Sequence, residues 1–190
     1  MEKNIVKKKS KFLPYDVYES IYSIDYDKLL SENRKIIVFD LDNTIMPYHI
    51  KKPTEKVVTF MASLEEKGFK CIVMSNNHKK RISRIGNALG IDYMYGAKKP
   101  LSFGYNKLFK KYPDMQKENF ICVGDQIITD VFGARRVGLD CILVKPLLLD
   151  NEHWYTKLNR ITERRIIDKF KVKNGLIYTK IKNIRGDLIR

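Results

Sequence analysis

The chain has 190 residues, and its 37 Lys and Arg residues against 22 Asp and Glu residues give a formal net charge of +15. Hydrophobic residues make up 44% of it, which is enough for a folded core, so neither a disordered nor a fibrous protein is expected. No apolar run approaches the roughly 18–20 residues that span a bilayer, and no apolar stretch follows the basic N-terminus as in a secretory signal.

Short apolar runs alternate with segments of helical periodicity between residues 36 and 145. The runs are rich in β-branched residues and predict strands buried on both faces, at 36–39, 71–74, 93–95, 120–123 and 141–144. Helical spacing of the apolar residues, with a cap at Thr54, predicts helices at 54–68, 82–90, 101–112 and 131–137. This alternation predicts an α/β, Rossmann-like fold of three layers, a parallel sheet with helices on both faces.

Polar residues follow the predicted strands where the chain leaves the sheet. They form four sets, Asp-Leu-Asp-Asn-Thr at 40–44, Ser-Asn-Asn at 75–77, Lys-Lys-Pro at 98–100, and Gly-Asp at 124–125 with Asp130. Ligands of open α/β sheets bind beyond the carboxyl ends of the strands, so we expect the four sets to converge on one site. Each set alone is typical of a turn or a cap, but all four in this order indicate a function.

The aspartates in these sets predict a metal site. Asp40 and Asp42 stand two residues apart at a strand end, where two carboxylates repel unless a cation lies between them, and Asp125 adds a third. With no nearby His or Cys, such a set suits Mg²⁺, which prefers oxygen ligands. Lys99 and the Ser75 hydroxyl could then bind a phosphate. One carboxylate could attack phosphorus while the other transfers protons.

The four sets resemble the four motifs of the haloacid dehalogenase (HAD) superfamily: Asp-x-Asp-x-Thr at 40–44, Ser75, Lys99 before Pro100, and Gly-Asp-x-x-x-x-Asp at 124–130. Within the superfamily, their details are similar to the YqeG-like phosphatases, a branch that includes the mitochondrial-type phosphatidylglycerophosphate phosphatases. These details are Ser-Asn-Asn at 75–77, Ala-Lys-Lys-Pro at 97–100 and Gly-Asp-Gln-Ile-Ile-Thr-Asp at 124–130. The resemblance extends over residues 13–165 and implies a HAD fold and phosphatase activity.

The resemblance also implies a role for each matching residue. Asp40 would be the nucleophile and a ligand of Mg²⁺, and Asp42 would be the general acid/base and bind the metal through its backbone carbonyl. Asp125 would be a further metal ligand, and Asp130 would either join the metal site or orient Lys99. The phosphoryl group would be held by Thr44, Ser75, Asn76 and Lys99. The implied reaction is Mg²⁺-dependent phosphomonoester hydrolysis through an aspartyl-phosphate.

The spacing of the motifs leaves no room for an inserted cap domain. Only 30 residues separate Thr44 from Ser75, and 23 separate Ser75 from Lys99. A capless site is open, so the bulk of the substrate, or the surface on which it lies, would exclude water and supply specificity. An open site favours macromolecular or membrane-embedded phosphomonoesters, and the resemblance to the branch described above implies a phosphatidylglycerophosphate phosphatase of phospholipid synthesis as the specific prediction. The alternatives are a phosphatase acting on nucleic-acid ends or phosphoproteins, and a non-catalytic basic RNA-binding module.

The positive charge is concentrated at the two ends, with +4 in residues 1–13 and +8 in residues 156–190. This distribution divides the chain into a basic N-terminal segment (1–13), a phosphatase domain (14–155) and a basic C-terminal helix and tail (156–190). The ends are expected to bind anionic phospholipid at a membrane surface or nucleic acid, although solvated tails are the simpler alternative. The separated cysteines predict a reduced, cytoplasmic protein, peripheral on the inner face of the membrane if the ends bind lipid.

The C-terminal region carries weaker signals. Residues 157–172 have imperfect helical periodicity, which favours a helix packed on the domain over one lying on a membrane surface. Lys-Asn-Gly at 173–175 is a turn signal. The residues after it are predicted to form a short strand pair or a mobile tail.

Overall fold

A computed structural model describes residues 10–148 and 154–186 of the chain. Its strands are β1 Val17–Tyr18, β2 Ile36–Phe39, β3 Lys70–Met74, β4 Asp92–Met94, β5 Phe120–Gly124 and β6 Asp140–Val144. Its α-helices are α1 Tyr26–Ser31, α2 Glu55–Glu66, α3 Lys79–Leu89, α4 Phe103–Lys111, α5 Gly133–Arg136, α6 Trp154–Lys173 and α7 Gly175–Arg185.

The six strands form one sheet in the order β1-β6-β5-β2-β3-β4, and every neighbouring pair is parallel. The predicted α/β architecture is thereby confirmed, with the five predicted strands near their expected positions. Strand β1 was not predicted, because two residues are too few to show a pattern. It pairs with the edge of β6, where Val17 lies opposite Leu143.

Alternate residues of the strands pack into two apolar layers, as the pleat of a sheet requires. On one face, α1, α2 and α3 contribute Leu29, Met61 and Ile85 to the core. On the other face, the buried side chains come from α4, α5, α6 and α7, among them Leu108, Ala134, Phe170 and Ile181. The three cysteines are free and buried within these layers, as expected from their apolar neighbours.

Local signals explain where the predicted helices begin and end. The Thr54 side chain accepts the N–H of Val57 at 3.4 Å and caps α2, which satisfies one of the donors left unpaired at a helix start. Helix α3 ends at Gly90, whose φ of 69° is the left-handed conformation that glycine adopts without a Cβ clash. Within residues 44–99, only loops, α2, β3, α3 and β4 occur, so no cap domain interrupts the site.

The two C-terminal helices, α6 and α7, are here called the C-terminal helical pair. Helix α6 packs on the domain as favoured, with Ile167 and Phe170 in the core. The prediction of a strand pair or tail after residue 173 was wrong for residues 175–185, because α7 forms there instead, and residues 187–190 lie outside the described part of the chain. The start of α7 is capped by Asn174, and Ile177, Ile181 and Ile184 recur on one buried face.

The proposed division at residues 13 and 155 stays a prediction, and residues 1–9 of the basic N-terminal segment lie outside the described part of the chain. In residues 10–148 and 154–186, none of the helices combines the length with the apolar character needed to cross a bilayer.

Candidate active site

The polar sets lie together at the carboxyl edge of the sheet. Phe39 at the end of β2 is in register with Val73 of β3 and Val123 of β5, so the loops after these strands emerge side by side. These loops and the loop after β4 form what we call the catalytic edge, residues 40–44, 75–77, 97–100 and 124–130.

A buried lysine joins two carboxylates at the catalytic edge. The Lys99 Nζ lies 2.6 Å from Asp40 Oδ1 and 2.6 Å from Asp130 Oδ1. Burial lowers the pKa of Lys99, but the carboxylates of Asp130 and Asp40 outweigh it, so the pKa is raised above its usual value. Lys99 is therefore a fixed cation held beside Asp40, in a position to meet a phosphoryl oxygen.

Three carboxylates form an acidic cluster, in which one oxygen each of Asp40, Asp125 and Asp130 lies within 4.8 Å of the others. Burial raises the pKa of Asp40 well above its usual range; Lys99 opposes this shift, and the neighbouring carboxylates add to it. One ammonium group cannot balance three carboxylates. The cluster offers only oxygen ligands, so its residues fit a hard divalent cation of the Mg²⁺ type.

Thr44 contacts this cluster as well. Its hydroxyl donates to Asp125 Oδ1 at 3.3 Å, and both residues are buried. The observed contact of Thr44 is thus with a metal-type carboxylate, while its predicted contact with phosphate stays a prediction. Asp130 is held on its second oxygen, Oδ2, which accepts the N–H of Gln126 at 3.1 Å. Both roles suggested for Asp130 are compatible with this geometry, because it bonds Lys99 and also joins the cluster.

Asp42 is absent from the acidic cluster, and its carboxylate is held by α3 and the loop before it. Its Oδ1 accepts from Arg81 Nε at 3.1 Å and from Arg81 Nη2 at 2.6 Å. Its Oδ2 accepts a hydrogen bond from the Asn77 amide at 3.2 Å. Asp42 therefore has surroundings unlike those of Asp40. The expected metal set of Asp40, Asp42 and Asp125 is corrected, because Arg81 holds the Asp42 carboxylate and Asp130 takes its place in the cluster. The predicted contact of the Asp42 backbone carbonyl with a metal stays a prediction.

Arg81 is itself fixed. Its Nη1 donates to the carbonyl of Ile50 at 2.8 Å, and its guanidinium lies 5.3 Å from the centre of the Tyr48 ring. Sequence reasoning missed Arg81. A signal was present, since Arg81 stands beside Ile82 on the buried face of α3, where a charged side chain requires a partner.

Asn76 and Ser75 organise the loops. The Asn76 amide donates to the Lys99 carbonyl at 2.9 Å and accepts the Lys99 N–H at 2.6 Å, so it fixes the backbone that carries the lysine. The Ser75 hydroxyl is buried and accepts the N–H of Asn77 at 3.1 Å. The roles predicted for Ser75 and Asn76 in holding a phosphoryl group stay predictions.

A close backbone approach shapes the loop after β5. A Cβ on Gly124 would lie 2.3 Å from Cγ of Asp130, far closer than real Cβ contacts, so only glycine leaves room for that side chain. The chain then forms a π-helical turn, Ile127–Phe132, which brings Asp130 back over Gly124. Such turns are frequent at functional sites.

Comparisons with known proteins identify the family of the chain. The family model of the haloacid dehalogenase-like hydrolases matches residues 47–138. The probable phosphatase YqeG of Bacillus subtilis is 34% identical over 165 residues, which cover 87% of this chain and 95% of that protein. The chloroplastic phosphatidylglycerophosphate phosphatase 1 of Chlamydomonas reinhardtii is 26% identical over 149 residues, or 74% of this chain and 55% of that protein.

A solved structure supports the fold. The crystal structure of an uncharacterized protein from Listeria monocytogenes serotype 4b has a TM-score of 0.50 at 16% identity, covering 63% of this chain and 84% of that chain. The expected superfamily, fold and phosphatase activity are confirmed, which favours an enzyme over a non-catalytic RNA-binding module. The chain belongs to the haloacid dehalogenase-like hydrolases, and it is a phosphatase of that superfamily.

Proposed function

We propose that this phosphatase depends on Mg²⁺ and works through an aspartyl-phosphate on Asp40. The observation that carries the proposal is the convergence of the acidic cluster on Lys99, which places a carboxylate, a fixed cation and oxygen ligands around one point. A divalent cation bound by the cluster would offset the negative charge of the carboxylates and of the incoming phosphate. Such an offset would reduce the repulsion between the Asp40 carboxylate and an anionic substrate.

The reaction follows from the two different aspartates. A carboxylate oxygen of Asp40 attacks phosphorus, the bond from phosphorus to the substrate alkoxide breaks, and the carboxylic acid of Asp42 gives that alkoxide a proton. Asp42 then takes a proton from water as the water attacks the phosphorus. The bond from phosphorus to Asp40 breaks, inorganic phosphate leaves, and both aspartates return to their starting states. Lys99 and the Ser75 hydroxyl bind the phosphoryl oxygens throughout.

The contacts of Asp42 favour one of its two carboxyl oxygens as the atom that transfers the proton. The two Arg81 donors occupy both lone pairs of Oδ1, whereas the Asn77 amide occupies one lone pair of Oδ2. Oδ2 is therefore the atom that we assign to proton transfer. Arg81 acts as a positioning residue that holds the other half of the carboxylate.

The mechanism is tested by release of phosphate from p-nitrophenyl phosphate with Mg²⁺ or with EDTA. Asp40→Asn removes the nucleophile and should lower kcat by at least about 10³-fold. The matched control is Asp114→Asn, which makes the same chemical change at an exposed position far along the chain and should keep wild-type activity. Wild-type turnover by Asp40→Asn, or undiminished turnover in EDTA, would contradict the proposal.

We further propose that the substrate is a phosphomonoester of a phospholipid head group, with phosphatidylglycerophosphate as the specific candidate. Four large apolar side chains beside the catalytic edge are each at least 41% exposed, Leu101, Phe103, Leu147 and Leu148. The Leu147 N–H donates to the carbonyl of Asn43 at 2.9 Å, which ties that segment to the nucleophile loop. These four residues are here called the apolar rim.

Cations accompany the apolar rim. The ammonium groups of Lys98 and Lys107 lie 5.1 and 4.4 Å from the centre of the Phe103 ring. Apolar side chains flanked by lysines suit the boundary between anionic head groups and acyl chains. A rim of this kind around an open site would let the enzyme reach a phosphate that stays in the membrane surface. The similarity to the Chlamydomonas enzyme supports the same substrate class.

The substrate proposal is tested with the double variant Leu101→Ser, Phe103→Ser. Turnover of phosphatidylglycerophosphate in anionic vesicles should fall about tenfold, since partial burial of two such side chains contributes on the order of 1–2 kcal/mol. Turnover of soluble p-nitrophenyl phosphate should stay unchanged. Met115→Ser, at an exposed apolar residue after α4, is the control.

Equal vesicle turnover by the double variant and the wild type would contradict the role of the rim. Faster wild-type turnover of a 3′-phosphorylated oligonucleotide than of the lipid would favour the nucleic-acid alternative. Either result leaves the chemistry of Asp40 untouched, because the soluble substrate reports on it separately.

A further inference from the structure

The C-terminal helical pair reaches the catalytic edge through one buried ion pair. Glu163 comes from α6 and Arg185 from α7, and the Arg185 Nη1 lies 2.9 Å from Glu163 Oε2. Their side chains are only 1% and 4% exposed. Burial of two charges is costly, and it is offset only where both groups form further hydrogen bonds.

Those further hydrogen bonds go to the backbone next to the acidic cluster. Arg185 Nη2 donates to the carbonyl of Asp125. Glu163 Oε1 accepts the N–H of Ile127 at 2.6 Å and the N–H of Ile128 at 3.1 Å. Both members of the ion pair therefore bond the backbone of the same four-residue stretch, 125–128. Arg185 bonds a carbonyl of this stretch, and Glu163 bonds two of its N–H groups.

The π-helical turn at Ile127–Phe132 explains why these backbone groups need partners from another helix. The first N–H groups of any helical segment lack partners within it, and Gln126 at the start of this turn makes no side-chain cap. Glu163 supplies the missing acceptors from another helix, and its negative charge lies at the positive end of the turn. Arg185 balances that charge and fixes the preceding carbonyl.

We propose that Glu163 and Arg185 are positioning residues for the metal site, so that the C-terminal helical pair is a working part of that site. The Glu163–Arg185 ion pair fixes the conformation of the 125–128 backbone. This backbone carries the Asp125 carboxylate and leads into the turn that contains Asp130. This inference rests on the metal dependence in the proposed function. It assigns a role to residues that lie outside the four motifs.

The choice of arginine supports the assignment. A guanidinium is planar and carries several donors, so one side chain bonds the Glu163 carboxylate and the Asp125 carbonyl together. An ammonium at the same place keeps the charge but lacks this fork. Arg185→Lys therefore separates the geometry from the charge.

The test measures binding of MgCl₂ alone by isothermal titration calorimetry, without substrate or turnover. Arg185→Gln should raise the Mg²⁺ dissociation constant at least about tenfold, and Arg185→Lys by an intermediate factor. The control Lys182→Gln removes a positive charge from an exposed position of the same helix and should stay within twofold of wild type. The double variant Glu163→Gln, Arg185→Gln should lose no more affinity than the worse single variant, because both act through one ion pair.

A second measurement covers variants that fold poorly. Amide hydrogen exchange of metal-free wild type and of Arg185→Lys should show faster exchange at Ile127 and Ile128 in the variant, with the strands unchanged. Unchanged exchange there, or an Mg²⁺ dissociation constant of a folded Arg185→Gln within twofold of wild type, overturns the inference. Failure of the wild type itself to bind Mg²⁺ instead overturns the proposed metal dependence.

Discussion

The catalytic edge and the C-terminal helical pair each contain a buried cation that bonds a carboxylate, but the second partner of the cation differs between the two regions. At the edge, the Lys99 ammonium lies between Asp40 and Asp130, where we propose that the substrate phosphate binds. In the helical pair, the Arg185 guanidinium lies between Glu163 and a backbone carbonyl. Lys99 thus bonds the acidic cluster itself, whereas Arg185 bonds the backbone of the loop that carries Asp125.

This difference changes how the basic charge of the C-terminal region is understood. Arg185 is buried in its ion pair, and Lys180 bonds Asp16 at 2.5 Å beside β1. Other cations of the helical pair are exposed, among them Arg165, Lys169, Lys171 and Lys182. A count of charges therefore mixes cations that hold the fold together with cations that face solvent, and only the second group can contact an anionic surface.

The largest effect is expected at the edge, from Gly124→Ala. The new Cβ would occupy the space of the Asp130 side chain, so Asp130 must move and Lys99 loses one of its two carboxylates. Displacement of both groups should lower kcat for p-nitrophenyl phosphate by about 10³–10⁴-fold. In Gly175→Ala, in the helical pair, the new Cβ would have no atom within 4 Å, so kcat should stay at the wild-type value. Equal kcat values for the two variants would contradict the prediction that the catalytic edge needs glycine where the helical pair does not.

A smaller effect, on stability, is expected from Ile181→Ala in the helical pair. Ile181 is fully buried in the same apolar layer as the sheet, so the cavity should lower the free energy of unfolding by about 2–5 kcal/mol. Leu176→Ala on the exposed side of α7 is the control. Urea unfolding followed by circular dichroism and by residual activity should give one shared midpoint. Activity that outlasts the loss of helix would show that the two regions unfold separately.

The smallest of the three effects is expected from Arg81→Lys. Lysine keeps the charge but cannot bond the Asp42 carboxylate twice and the Ile50 carbonyl once, so Asp42, the proposed proton-transfer group, loses its orientation. We expect kcat to fall about 10–30-fold with KM within about threefold, because a positioning role affects the transition state. Arg84→Lys on the exposed side of α3 is the control. A change confined to KM would assign Arg81 to substrate binding instead.

The sequence predicted the catalytic edge well because its signals are local. Each motif directly follows an apolar strand, and a parallel sheet brings such positions together whatever the chain does between them. Asp40, Lys99 and Asp125 could be grouped for this reason before any distance was known. The positions of α2 and α3 followed equally well from a cap, a terminal glycine and the apolar spacing between them.

The parts that were missed depend on contacts between distant residues. Arg81 and Asp42 are 39 positions apart, and Glu163 and Ile127 are 36 positions apart, with no repeated spacing to connect them. Helix α7 was missed because Gly175 suggested a turn, although the apolar residues after it have helical spacing. Its burial against the sheet outweighs the weak local preference.

The distance along the chain between Asp125 and Arg185 has a consequence for synthesis. The ribosome makes about 5–20 residues per second, and Arg185 follows Asp125 by 60 residues, so about 3–12 s separate their appearance. For most of that interval a nascent chain carries all four motifs but lacks the ion pair that bonds the 125–128 backbone. With the positioning role proposed for Glu163 and Arg185, a chain still in translation is expected to bind Mg²⁺ weakly until α7 has formed and docked.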